Sequence, residues 1–500
     1  MLNLPIVSTF LVLCMTSLAR GTGNLPNILL LLSDDQDVEL HGMFPLQRTR
    51  ELFASSGAQL HNVYTPTPLC CPSRASVLTG QYAHNHRTLN NSYSGGCYGS
   101  HWREKMEPQA LPVLLKQQGY RTFYAGKYLN HYSGDEVPPG WDEFYGLHGN
   151  SRYYNYTLRE NERNVSYMDM YLTDLLKERA LSFIRNATQQ EGQPFFAIIA
   201  PPAAHAPYTP APRHAGLFAN VKALRTPSFN QLVKTPLDKH WLVASSKALK
   251  QNTLATIDKY FQQRWETLLA VDEMVAELAA LLDVTEAIND TYIIYTSDNG
   301  YHMGQFAQPF DKRQPYETDI RVPLLIRGPG VPVHCSLHVP ISLLDLAPTI
   351  LDWAGGLIPE QMNGRSIKQD LEHCHDEKLD GASYQRTLLI EYWGEGNSHT
   401  FNPKCPWQLS DNMAGCTLDA DCHCQDTRNN SYACVRDFRY HMDRIYCEFQ
   451  DKENFVEAYD LAQDPYQMNN LGFDMLPIER ALYSLLLHNL TKCAGPACYT

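Results

Sequence analysis

The sequence predicts an α/β protein in two parts: a large domain over residues 24–375, with a central sheet flanked by helices, and a smaller cysteine-rich α+β domain over 385–500. Three observations carry this. Nearly continuous apolar runs at 27–33, 194–200 and 291–297 read as strands buried on both faces, as a helix-covered sheet requires. At 500 residues the chain is long for a single core. Eight of the 14 cysteines lie at or beyond Cys405, which sets the last part of the chain apart.

Taken in order, the chain opens on an apolar run from Leu2 to Leu18 that is too short to cross a bilayer comfortably, and Ser17-Leu18-Ala19 is a small-x-small cleavage site. Residues 1–19 therefore read as a secretory signal peptide. No later run of about 18 apolar residues occurs, so no membrane span is expected. Seven sequons, at Asn90, Asn155, Asn164, Asn186, Asn289, Asn429 and Asn489, fit a glycoprotein of the secretory pathway. The formal charge of -13 argues against an extended basic groove for a polyanion such as nucleic acid. Protonating all 19 histidines would carry it to +6, so an acidic compartment makes the surface friendlier to anionic substrates.

The first strand, Asn27 to Ser33, runs into Asp34-Asp35, and the strand from Thr291 to Ser297 runs into Asp298-Asn299-Gly300. Sites in open α/β sheets gather at the carboxyl ends of strands. Three carboxylates and an amide oxygen from two such ends make a hard oxygen shell suited to Ca²⁺ or Mg²⁺. Taken singly, each pair is also an ordinary turn after a strand. Between them lies Cys70-Cys71-Pro72-Ser73-Arg74, continuing to Leu78-Thr79-Gly80, a C-x-P-S-R-x-x-x-L-T-G string. Pro72 at a first helical position puts residue 70 just outside a helix N-terminus, where backbone N–H groups favour an anion. Arg74, one turn on, can aim a fork of donors at oxyanions. The plainer alternative is a Cys-Cys pair tied up in disulfides ahead of an ordinary helix.

That string resembles the signature of the type I sulfatases, whose first cysteine, here Cys70, is oxidised by the formylglycine-generating enzyme to an aldehyde. The resemblance covers nearly the whole mature chain. It implies an alkaline-phosphatase-like large domain with a mixed sheet, a C-terminal antiparallel sheet, and calcium held by Asp34, Asp35, Asp298, Asn299 and the oxygen of modified Cys70. Ala125-Gly126-Lys127-Tyr128 is similar to the family's A-G-K-[WY] segment, and Lys127 would touch sulfate and nucleophile. After the strand ending at Ala200, Ala204-His205-Ala206-Pro207 resembles a P-H-x-P turn with alanine in first place. Lys312 opens a K-x-x-x-Y-E-x-x-x-R-V-P pattern through Tyr316-Glu317 and Arg321-Val322-Pro323. Further along, the Val322–Gly330 and Leu343–Thr349 segments, strand-like 387–392 and 459–461, and a D-L-x-x-D-P ending are also family-like.

The implied chemistry is sulfate-ester hydrolysis: a hydroxyl of hydrated formylglycine attacks sulfur, Arg74, Lys127, Lys312 and the metal neutralise charge, and His205 or Lys312 protonates the leaving oxygen. The second hydroxyl then expels sulfate. Where many sulfatases carry a histidine two residues after the pocket lysine, this chain has Leu129, leaving His131, His302, His84 or His86 as substitute bases. Leu69-Cys70-Cys71, Gly126 to Asn130, Asp298 to His302 and the cysteine-rich tail point to the sulfatases that act on 6-O-sulfated N-acetylglucosamine at the ends of heparan sulfate or keratan sulfate. A lysosomal or secreted location follows from the same resemblance. A phosphate or phosphonate monoester hydrolase of this superfold, and a non-catalytic glycan-binding protein, remain as alternatives. Removing Cys14 and Cys70 leaves twelve cysteines for disulfides, with Cys493 and Cys498 close enough to pair; a zinc site on Cys422-x-Cys424 is the competing reading.

Overall fold

The computed structural model describes residues 25–190, 192–375, 385–395, 426–451 and 454–499. The signal-peptide reading and Cys405, Cys416, Cys422 and Cys424 lie outside the described residues.

The three apolar runs form the middle of a ten-stranded mixed sheet. Asn27–Ser33 lies between Thr291–Ser297 and Phe195–Ala200, parallel to both, and Arg121–Lys127 extends the parallel set beyond Phe195–Ala200. Because side chains alternate along a strand, Ile28, Leu30 and Leu32 enter one core and Leu29 and Leu31 the other. On the first side lie Cys70–Thr79, Leu111–Gln117 and Leu346–Trp353; on the second lie Leu172–Thr188 and the 34-residue helix Gln251–Val284. Each fully buried Leu or Ile is worth about 1.5–3 kcal/mol relative to exposure. Antiparallel pairings flank the parallel set on both sides, Leu324–Arg327 against Thr291–Ser297 and Tyr156–Glu160 against Glu143–Leu147.

The second sheet is an antiparallel meander of Thr387–Tyr392, Tyr432–Asp437, Arg444–Phe449 and Val456–Asp460. One face packs under Pro477–Leu490, and the other meets Tyr64, Leu69, Phe306 and Tyr316 of the large sheet's loops. The strand expected through residue 461 ends at Asp460. Four disulfides join described cysteines: Cys71–Cys97, Cys335–Cys374, Cys434–Cys447 and the expected Cys493–Cys498. Of the sequons, Asn155, Asn164, Asn186, Asn289 and Asn489 are exposed, while Asn90 and Asn429 are half-buried. Among the described residues no helix is long and apolar enough to cross a membrane.

Candidate active site

Four neighbouring parallel strands deliver their carboxyl ends to one edge, and the singled-out residues collect there. Asp34 and Asp35 follow Ser33, Asp298 and Asn299 follow Ser297, Lys127 closes Arg121–Lys127, and His205 sits in the loop after Ala200. Gly126 is what lets Lys127 reach inward. Its φ is +117°, and a Cβ there would lie 2.0 Å from the Ala200 carbonyl oxygen of the adjacent strand.

The helix carrying the signature starts at Cys70 itself, with Leu69 as its extended N-cap, two residues earlier than Pro72 would place it. Proline fits there because first-turn N–H groups have no partner inside the helix. Of the Cys-Cys pair, Cys71 is bridged to Cys97, while Cys70 is buried and unbridged. Burial pushes its thiol up to about 12, against the pull of Lys127 and Lys312.

Around Cys70 three carboxylates meet three fixed cations. Lys127 Nζ donates to both oxygens of Asp34, at 3.0 and 2.7 Å. Lys312 Nζ donates to Asp35 Oδ2 at 2.6 Å. Arg74 Nε donates to Asp298 Oδ2 at 2.7 Å, and its Nη1 to the Lys127 carbonyl at 2.7 Å. Arg74 Nη2 also lies 3.6 Å from Asp34 Oδ1. Burial alone would raise the Asp34 carboxyl, but Lys127, His205, Arg74 and Lys312 together hold it well below its ordinary range. Asp35 is lowered in the same way, with Lys312 as its main counter-charge. At Asp298 burial wins over Arg74 and the carboxyl sits at about 6. Lys312 is held well above its ordinary value because Asp35 outweighs the cost of burial.

Oxygen donors suited to a cation are present. One ligand atom each from Asp34, Asp35, Cys70 and His205 lies within 4.8 Å of the others. Asp298 Oδ1 accepts from the Asp35 backbone N–H at 3.1 Å, and Asn299 Nδ2 donates to Asp35 Oδ1 at 2.7 Å. Asn299 Oδ1 is buried with no hydrogen-bond partner, the state of an oxygen whose partner is a cation. The cage could therefore hold a metal ion, and the hard oxygen set fits a divalent one.

His205 Nδ1 lies 2.6 Å from the Ala206 carbonyl, so this nitrogen carries the proton and Nε2, 3.7 Å from Asp35 Oδ2, presents a lone pair. Burial lowers the ring to about 4, despite Asp34 and Asp35. Of the substitute bases, His84 pairs with Glu391 and His86 with Ser76 Oγ. Both follow the ten-residue signature helix in the chain, and His86 folds back against its side at Ser76, with its ring held by that hydroxyl. His131 is exposed, and His302 is buried with Nδ1 3.0 Å from Asp319.

Two contacts have no motif in the sequence. The Ser151 hydroxyl donates to Asp34 Oδ2 from an irregular loop that carries no pattern. Arg264 Nη2 donates to the Asp35 carbonyl at 2.8 Å and to Asp37 Oδ1 at 2.9 Å. A signal for Arg264 existed: it is a charged residue on the buried stripe formed by Phe261, Trp265, Leu268 and Val271.

A buried charge cage beside a helix N-terminus, at the carboxyl edge of a parallel sheet, defines a hydrolase-like centre for anionic esters. Comparison with known proteins gives the family: the Sulfatase pattern matches residues 26–357, and the chain belongs to that family. An N-acetylglucosamine-6-sulfatase of Homo sapiens is 43% identical over 495 residues, covering 96% of this chain and 87% of the relative. That of Capra hircus is 42% identical, covering 96% and 86%. A solved structure of a protein in complex with its substrate D-glucosamine-2-N,6-O-disulfate superposes with a TM-score of 0.72 at 23% identity, over 94% of this chain and 98% of that one.

Proposed function

We propose that this protein removes the 6-O-sulfate from N-acetylglucosamine 6-sulfate at the ends of heparan sulfate and keratan sulfate, using formylglycine made from Cys70 and a bound calcium ion. The observation that carries the reading is the unbridged, buried Cys70 inside a cage of matched charges, on a chain similar along almost its whole length to N-acetylglucosamine-6-sulfatases.

Asp34, Asp35, Asp298 and Asn299 would hold calcium together with the oxygen of modified residue 70. When bound, calcium supplies Lewis-acid charge that favours loss of a hydroxyl proton. Lys127 and Arg74 hold the carboxylates in place and face the sulfate oxygens, and Ser151 fixes Asp34. One hydroxyl of the hydrate forms the new O–S bond while the bond from sulfur to the sugar oxygen breaks. Lys312, kept protonated by Asp35, gives the departing oxygen its proton. His205 Nε2 accepts the proton of the second hydroxyl, whose electrons form the C=O bond as sulfate leaves with its oxygen. His205 thus takes the base role that Leu129 cannot. Processing by the formylglycine-generating enzyme and delivery to the lysosome, or secretion, belong to the same reading.

The test is the mass of the peptide carrying residue 70 from secreted protein, followed by assay of N-acetylglucosamine 6-sulfate at acidic pH. An aldehyde at residue 70 with sulfate release supports the reading. Intact cysteine, in cells that modify a control sulfatase, overturns it.

A further inference from the structure

The chain carries a formal charge of -13, yet one surface cavity is lined by cations and amides and by no carboxylate among the described residues. It holds about 490 Å³ and opens between the short helix Ala83–His86, the π-helical turn Trp102–Met106 and the loop carrying Gln361. Its lining begins at Gln81, just past the Gly80 cap of Cys70–Thr79, about 15 Å along that helix from residue 70. The cavity thus belongs to the opposite end of the signature helix from the cage, and it shares no residue with the cage.

Three cationic side chains converge there. Arg87 is the left-handed C-cap of Ala83–His86, with φ +59°, and its backbone N–H bonds the Ala83 carbonyl. Lys105 lies on the π-helical turn, and His101 immediately precedes that turn. Their charges are within reach of one another: burial, together with Arg87 and Lys105, pushes the His101 ring below its ordinary value, with Glu104 opposing them. Among the described residues Arg87 and Lys105 form no ion pair, although Arg103 of the same turn pairs with Glu136 at 3.7 Å. His101 Nε2 is shut off from solvent without a hydrogen-bond partner, and buried polar atoms are rarely left so. Like charges gathered without a counter-ion cost free energy, and an anion entering the cavity offsets that cost.

Neutral polar groups surround the cations. Gln361 Nε2 donates to Gln109 Oε1 at 3.1 Å, and Gln109 Nε2 donates to the Lys105 carbonyl at 2.6 Å. Asn85 Nδ2 is fixed by Asn363 Oδ1 and the Cys493 carbonyl at 3.0 and 2.9 Å. Met106 is the one apolar residue of the described lining. A ligand that fits is polar over its whole surface, carries an oxyanion for the cations and offers hydroxyl or acylamino groups to the amides.

We infer that this cavity binds a sulfated segment of a glycosaminoglycan chain, at a site separate from the one that hydrolyses sulfate esters. The sulfate lies against Arg87, Lys105 and protonated His101, and the sugar hydroxyls lie against the Asn and Gln amides. No bond is broken there. Anchoring on the polymer raises the local concentration of chain ends. A cavity of this size is compatible with the acidic total charge, because charges more than about 10 Å away are largely screened. The assignment rests on this cavity and not on the reaction at residue 70.

The probe is a heparin hexasaccharide with an unsaturated uronate at its non-reducing end, which offers the cage no terminal glucosamine. Its Kd is measured by titration calorimetry on wild type, Arg87→Ala/Lys105→Ala and His101→Gln, with hydrolysis of N-acetylglucosamine 6-sulfate and Tm as controls. In the double variant Kd should rise about 10- to 100-fold, as expected for lost hydrogen bonds to charged groups, with kcat/KM for the monosaccharide and Tm unchanged. Wild-type binding should weaken from pH 5.5 to pH 7.5, and less so in His101→Gln, because an anion beside the ring favours its charged form. Equal Kd values in wild type and the double variant overturn the inference. So does a loss of affinity matched by an equal loss of monosaccharide hydrolysis, which would place the binding in the cage. A desulfated hexasaccharide that binds as tightly, or mannose 6-phosphate that binds more tightly, overturns the sulfated-glycan assignment. A wild type that binds the hexasaccharide through these residues but does not cleave the monosaccharide upholds this site and refutes the substrate reading instead.

Discussion

Arg436 holds the small sheet to the loop that carries Lys312, and removing its charge should loosen both. From Tyr432–Asp437 its guanidinium donates to Glu317 Oε1 at 3.1 Å and Tyr64 Oη at 3.0 Å, and it lies over the rings of Tyr64 and Phe438 at 4.9 and 4.5 Å. Its side chain is 1% exposed and that of Glu317 is 8% exposed. In Arg436→Met, Glu317 would keep only the Tyr64 hydroxyl at 3.3 Å and Arg321 at 4.0 Å. Breaking one side of a buried pair costs about 3–5 kcal/mol, because the remaining charge is left without compensation. With about 2 cal/mol/K per residue over roughly 500 residues, the unfolding entropy is about 1 kcal/mol/K, so Tm should drop by about 3–5 °C if both sheets melt together. Differential scanning calorimetry gives the value, and a separate early transition would mean that the small sheet melts first. The double variant Arg436→Met/Glu317→Gln should recover part of the loss, since it removes the stranded carboxylate. A drop below about 1 °C, or strictly additive variants, would refute the view that this pair fastens the sheets.

Three other outcomes are expected. Cys70→Ser should fold but not turn over, because a serine sulfate ester has no second hydroxyl to expel sulfate; steady-state sulfate release by that variant would contradict the mechanism. Dialysis against a calcium chelator should abolish activity and lower Tm, with both restored by calcium; at a hundredfold excess over Kd the stabilisation is about 2.7 kcal/mol, and Asn299→Ala should weaken it. His84→Gln should destabilise more at pH 5 than at pH 8. Burial disfavours its charged form, but the Glu391 carboxylate 2.9 Å from Nδ1 outweighs that and raises the pKa, with the Cys493 carbonyl and the Asn85 amide against Nε2. A raised pKa stabilises the fold below the ordinary histidine value and loses that contribution as pH climbs through the folded value, so equal Tm losses at both pH values would count against it.

Local pattern was enough for much of the fold and for the residues gathered at its edge. Strands buried on both faces must be almost wholly apolar, so 27–33 and 291–297 are legible to the residue, and the turns that end them carry their acids in plain view. The signature helix starts two residues before Pro72, because proline marks a first turn without saying which of its positions it fills. The type I signature named Cys70, but no spacing tells which of two adjacent cysteines is bridged; the approach of Cys97 to Cys71 decides that.

Sequence by itself determined the central strands, the family and the residues that converge on one sheet edge, because each is written in a short contiguous pattern. Only tertiary structure decided that Ser151 and Arg264 brace the aspartates, that His205 turns Nε2 toward Asp35, and that Glu395 and Arg436 of the small sheet reach the Lys312 loop. Those contacts join residues far apart in the chain, and their cost or benefit exists only where packing removes water and brings the charges within a few ångströms of one another.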